Sequence, residues 1–202
     1  MPRTLRAVLF PVLVVLPWLS PEPALAQWFV GLEIGSERYW VGTIETTPDE
    51  RSFRPYRPTV LVAVLERRSG SVGAALRLKY ADASLALEGS DAVVAVKDVF
   101  TVVSAAPEIS YRLLTLGLEN ELRLHAGTLF EYWSVEEEDS RIRVGAHGAV
   151  SLTLPVGGGF ALSLAAYGAV IGSPFEETEL LETYERRALW RRGVSGGLRY
   201  RL

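Results

Sequence analysis

The chain has 202 residues, with 21 Lys and Arg against 24 Asp and Glu, and no cysteine. That length holds one ordinary domain. A mildly acidic balance without a basic stripe excludes nucleic acid as a partner, and the missing thiols exclude disulfides and thiolate zinc sites.

The first segment is not fold material. Arg3 and Arg6 precede an apolar run from Ala7 to Leu19, and Pro21, Pro23 and Ala24-Leu25-Ala26 follow. A positive start, a short apolar run and a small-x-small site describe a secretory signal peptide, expected over residues 1–26. The mature part, 27–202, then carries 19 basic and 23 acidic residues once Arg3, Arg6 and Glu22 are removed. It contains no apolar stretch as long as a membrane helix, so any crossing of a bilayer must be made by a closed barrel.

Period two runs through the mature part. The first strand, Trp28 to Trp40, sets Trp28, Val30, Leu32 and Ile34 against Gly31, Glu33 and Gly35. Residues Thr43 to Pro58 read as a long loop, and the second strand covers Thr59 to Arg67. After the turn Arg68-Ser69-Gly70-Ser71, the third strand opposes Val72, Ala74, Leu76, Leu78 and Tyr80 to Gly73, Ala75, Arg77 and Lys79.

An irregular stretch from Asp82 to Ala95 leads to the fourth strand, Val96 to Leu113, where Pro107 suggests a bulge. In the fifth strand Leu118, Leu122, Leu124, Ala126, Phe130 and Tyr132 oppose Glu119, Glu121, Arg123, His125, Gly127 and Glu131. The acidic loop Glu136 to Asp139 follows. In the sixth strand Ile142, Val144, Ala146, Val150, Leu152 and Leu154 oppose Arg141, Arg143, Gly145, His147, Ser151 and Thr153. The seventh strand covers Gly159 to Gly172, and a charged loop runs from Ser173 to Arg187. The last strand opposes Trp190, Val194, Leu198, Tyr200 and Leu202 to Arg191, Gly193, Ser195, Gly197, Arg199 and Arg201.

Eight strands result, joined by alternating long and short connections, as in bacterial outer-membrane barrels with short periplasmic turns and longer outer loops. The fold class expected is all-β, an antiparallel up-and-down transmembrane barrel. Alternation alone fits a soluble lipocalin-like barrel equally well. Glycines on the polar face (Gly31, Gly35, Gly73, Gly117, Gly127, Gly145, Gly193, Gly197) favour the membrane, because charged side chains enclosed in a narrow lumen need small neighbours. So do aromatics at the strand ends: Trp28, Tyr111, Phe160 and Tyr200 toward the turns, and Tyr39, Trp40, Phe130, Tyr132, Trp133 and Trp190 toward the loops.

On these features the chain resembles the small eight-stranded outer-membrane barrels typified by OmpX and the membrane domain of OmpA. The ending Leu198-Arg199-Tyr200-Arg201-Leu202 is similar to that family's assembly signal, although the last residue is leucine where the family usually has phenylalanine. The resemblance implies recognition by the barrel-assembly machinery through Leu198, Tyr200 and Leu202, and residence in the outer membrane.

The candidate chemistry lies on the polar face. Glu33, Arg77, Glu119, Glu121, Arg123, His125, Glu131, Arg143 and His147 are expected to form a charge-neutralising network in the lumen. Two histidines without a third convergent ligand make weak metal evidence, so neither metal nor cofactor is expected. His147 and Ser151 stand four residues apart, about 13 Å along a strand, too far for proton transfer. Arg186, Arg187, Arg191 and Arg192 flank Trp190 and suit lipopolysaccharide phosphates. The function expected is non-catalytic, envelope integrity or surface interaction through the loops. A lipid A-modifying enzyme, a narrow pore and a soluble binding barrel stand as alternatives.

Overall fold

The computed structural model describes residues 26–40, 43–45, 52–88, 93–117, 119–135, 140–173 and 184–202. The leader expected over 1–26, Ala26 apart, and the acidic loop Glu136 to Asp139 lie outside the described residues, as does most of the charged loop that begins at Ser173.

Eight long strands make the barrel: β1 (Gln27–Trp40), β3 (Ser52–Ser69), β4 (Val72–Glu88), β5 (Val93–Leu116), β6 (Asn120–Val135), β7 (Arg141–Gly157), β8 (Phe160–Ile171) and β10 (Leu189–Arg201). Two short strands, β2 (Thr43–Glu45) and β9 (Tyr184–Arg186), lie in the connections that were read as loops. Every pairing is antiparallel, and β1 pairs with both β3 and β10, which closes the sheet without an edge. The first and last long strands meet on the turn side, where the Leu202 amide donates to the Trp28 carbonyl at 2.9 Å. At the opposite end β2 pairs with β9 and with the start of β3, tying two loops together.

Alternation settles which face is which. Leu32 is 73 % exposed and Ile34 59 %, whereas Glu33 between them is 3 % exposed. The same holds around the wall: Leu61, Leu78, Ile109, Leu124, Val144, Leu164, Val194 and Leu198 point out, while Glu66, Arg77, Glu108, Arg123, His147 and Arg199 are buried inside. A wall with its leucines and valines outward and its charges enclosed suits hydrocarbon rather than water.

Several expectations need correction. Residues 52–58 and 82–88 belong to β3 and β4, so these strands, like β5 with its 24 residues, run well past the 9–11 or so needed to cross a bilayer. Pro107 causes no shift of register; the irregularity in the β5–β6 pairing falls between Arg112 and Leu114. The strands instead crowd together at Pro107, where a Cβ on Gly127 would stand 2.0 Å from the Pro107 carbonyl oxygen. The wall of β3 is apolar on both faces, because Val60, Val62 and Val64 point inward and cluster with Ala81 while Leu61 and Leu65 point outward.

The outer aromatic belt is also smaller than expected. Trp40, Phe130, Tyr132 and Trp190 face outward, but Tyr39 and Trp133 are 0 % exposed. They close the loop end of the lumen edge to face, with centroids 6.3 Å apart, in an apolar cluster with Val102, Leu129, Ile171 and Leu189.

Candidate functional site

All eight long strands send polar side chains into the lumen, and these connect into a plug. At the turn end Glu121 accepts from Arg68 (2.9 Å), Arg112 (3.2 Å) and Arg123 (3.3 Å). Arg68 also donates to Glu66 at 2.8 Å, and Glu66 accepts from Ser110 at 2.7 Å and from Arg199 at 2.9 Å. Arg199 passes the chain of contacts to Glu33 at 3.1 Å, and Glu33 accepts further from Ser163, Ser195 and Arg77. Arg77 then reaches Glu108 at 3.0 Å. The route from Glu121 to Glu108 is continuous.

Nearer the loops lies a second cluster. Lys79 donates to both oxygens of Glu37 at 3.0 Å, Tyr39 donates to Glu37 at 2.7 Å, and Arg191 pairs with Glu131. Trp133 donates its indole N–H to Glu131 at 3.2 Å, which joins the charged cluster to the apolar cap above it. Beside this cluster a small void, lined by Glu37, Lys79, His147, Tyr167 and Arg191, measures about 10 Å³. That is room for about one water molecule. Toward the turns the lumen widens into a cavity of about 500 Å³ lined by Phe29, Arg68, Arg112, Thr153 and Arg201.

Enclosure dictates this composition. A buried charge left alone is expensive, so each carboxylate here meets a cation or several hydroxyls. Long side chains also need room. A Cβ on Gly193 would fall 2.5 Å from Tyr167 Cζ, and one on Gly31 would fall 2.9 Å from Arg199 Cγ. The inward glycines therefore make space for particular neighbours.

Of the residues expected in the network, Glu33, Arg77, Arg123, His125, Glu131 and His147 are buried together in the lumen, and Glu121 closes its turn end. Glu119 is not part of it: it sits exposed in the turn at φ 68°, beside Gly117 at φ 58°, so neither occupies the inner face. Arg143 lies at the loop end, where it donates to the Ser173 carbonyl at 2.7 Å. Sequence reasoning missed Glu37, Glu66 and Glu108, three of the five enclosed carboxylates Glu33, Glu37, Glu66, Glu108 and Glu131 among the described residues.

Arg191, grouped above with Arg186, Arg187 and Arg192, is 4 % exposed and held between Glu37 and Glu131. It is a lumen residue and cannot reach a lipid phosphate. Arg187 and Arg192 are exposed.

The histidines make a further constellation. His125 Nε2 lies 2.8 Å from Ser151 Oγ and its Nδ1 lies 3.1 Å from Glu108 Oε2, while His147 Nδ1 lies 3.2 Å from Glu108 Oε1. Serine, imidazole and carboxylate thus stand in the order used by serine hydrolases. Ser151 and His125 are both 0 % exposed, however, so no carbonyl substrate reaches the hydroxyl in this packing. Among the described residues no group of three metal-ligating side chains is arranged to hold an ion.

The architecture has clear counterparts among solved structures. Neisserial surface protein A matches over 89 % of this chain and 100 % of its own, at 11 % identity and a TM-score of 0.58. OprG from Pseudomonas aeruginosa matches over 88 % and 96 %, at 10 % identity and a TM-score of 0.57. A major outer membrane protein from Thermus thermophilus matches over 89 % and 100 %, at 16 % identity and 0.52. The fold is that of outer-membrane β-barrels. No family model matches the sequence, and no curated protein matches it either. At such identities the likeness extends to the fold alone.

Proposed function

We propose that this chain is a non-catalytic barrel of the small OmpX and OmpA type, placed in the outer membrane of a Gram-negative cell after cleavage of its leader. It contributes to envelope integrity or meets surface partners through its loops. The observation that carries this reading is the inverted wall: an outward belt of leucine and valine around a lumen closed by ion pairs. Among the described residues ion pairs fill such a lumen, which favours a closed barrel, and the outward Leu198, Tyr200 and Leu202 stay available to the assembly machinery. Exposed Arg187 and Arg192, with Arg186 nearby in the chain, support contact with lipopolysaccharide at the outer rim.

Two measurements test it. The purified barrel is expected to give no conductance steps in a planar bilayer; regular steps at neutral pH count against the closed lumen. The chain has no cysteine, so S140C supplies a single label beside the acidic loop. Intact cells are expected to react with a membrane-impermeant maleimide at that position. Labelling only after the cells are broken removes the outer-surface reading.

A further inference from the structure

Arg38 and Arg192 stand directly opposite one another on β1 and β10, both exposed on the outer face of the wall. The next outward pair toward the loops is Trp40 opposite Trp190, which belongs to the aromatic belt. Like charges directly opposed on a sheet repel, and a guanidinium facing lipid is costly without a counter-ion. Neither arginine meets a carboxylate among the described residues. Arg192 instead places its guanidinium 4.3 Å from the Trp40 ring centroid, so the side chain runs along the strand toward the belt. That is the posture of a cation drawn to the headgroup level.

The surface beside the pair is unusually low. Gly168 is the partner of Arg192, Gly148 the partner of Gly168 and Ala126 the partner of Gly148. Packing within the barrel does not impose this: the nearest atom to a Cβ on Gly168 or Gly148 would be a backbone oxygen at 3.6 Å, an ordinary contact. The wall therefore offers a shelf whose one side chain is the Ala126 methyl, beside Arg192 and one strand removed from Arg38.

We infer that Arg38 and Arg192 bind the phosphate of an outer-leaflet lipid, the phosphorylated glucosamine of lipid A, whose sugar and first acyl segment rest on the Gly168–Gly148–Ala126 shelf. Two arginines on directly paired residues can share one phosphate, and the shared anion turns their repulsion into a clamp. The assignment to lipid A rests on the proposed placement with loops outward, which sets this pair in the outer leaflet.

The test is native mass spectrometry of the folded barrel in detergent, titrated with lipid A bearing both phosphates, with dephosphorylated lipid A and with phosphatidylglycerol. Phosphorylated lipid A is expected to bind at least about tenfold more tightly than the dephosphorylated form. R38Q/R192Q is expected to abolish that preference, and R201Q, at the exposed turn end, to leave it intact; unheated gel mobility confirms that each variant is folded. G168L is expected to weaken binding with both arginines present. An unchanged preference in R38Q/R192Q overturns the site, and equal binding of phosphatidylglycerol overturns the choice of lipid A. Failure of the outward placement is read separately from the S140C labelling.

Discussion

Arg199 Nη1 and Glu66 Oε2 meet at 2.9 Å across the lumen, although their strands, β10 and β3, are separated in the sheet by β1. Both are fully enclosed, so removing one partner leaves an uncompensated charge at this level. E66A is expected to destabilise the barrel by about 3–5 kcal/mol, the usual cost of breaking a buried pair. E66L/R199M, which removes one charge of each sign, is expected to cost less than E66A alone. Urea unfolding of the lipid-reconstituted protein, followed by tryptophan fluorescence, measures both, and a double variant weaker than E66A contradicts the neutralisation argument.

Gly193 shows the steric side of the same enclosure. Its missing side chain accommodates Tyr167, whose ring carbon would lie 2.5 Å from an added Cβ. Overfilling a packed interior costs about 1–3 kcal/mol. G193A is expected to fall in that range in the wild-type background and to cost little when made in Y167A, because the obstructing ring is gone. The unfolding midpoints of wild type, the two single variants and the double variant close this cycle. Additive losses show that the two positions do not share space.

Much of the barrel is legible in alternation alone. On β1, β4, β6, β7 and β10 the apolar residues are concentrated on one parity, with breaks such as Arg38 and Arg192, and the structure turns the other parity inward. That reasoning reaches Glu33, Arg77, Arg123, His125 and His147 directly. It fails where a strand is apolar on both faces, as β3 is around Val60, Val62 and Val64, and Glu66 is lost there. It fails again on β5, where a poorly patterned run hides Glu108. Tyr39, Trp133 and Arg191 are a different case. Their odd numbers assign them to the lumen with Glu37, Glu131 and Arg199, but grouping by nearness to a strand end overrode the parity. The His125–Ser151 contact needs the pairing of β6 with β7, which sets Arg123 opposite Ser151. No single strand contains that information.

Adjacent Arg191 and Arg192 give a sharp contrast, because consecutive strand residues point to opposite faces. R191Q is expected to lower stability by about 3–5 kcal/mol by leaving Glu37 and Glu131 short of a cation. R192Q is expected to change it by less than about 1 kcal/mol, the scale of an exposed site. Unfolding both in the same lipid distinguishes them; equal effects would contradict the contrast between the two faces, and a larger loss for R192Q would show that the strand's facing is reversed.

Ser151 and His125 test whether triad-like order suffices for reactivity. A serine nucleophile needs space at Oγ for an acyl or phosphoryl centre, together with donors for the developing oxyanion. Ser151 is wholly enclosed between β6 and β8, and its hydroxyl is held by His125 at 2.8 Å. The contact is therefore expected to act as a structural tie between β6 and β7. S151A should lower stability by about 0.5–1.5 kcal/mol, as loss of one hydrogen bond does, or somewhat more through the imidazole nitrogen left unpaired. The folded barrel should gain no mass with an alkyl fluorophosphonate, which would replace its fluoride by Ser151 Oγ if the hydroxyl were reachable. A stoichiometric adduct that S151A removes would overturn the non-catalytic reading and establish a motion of the plug that exposes Ser151.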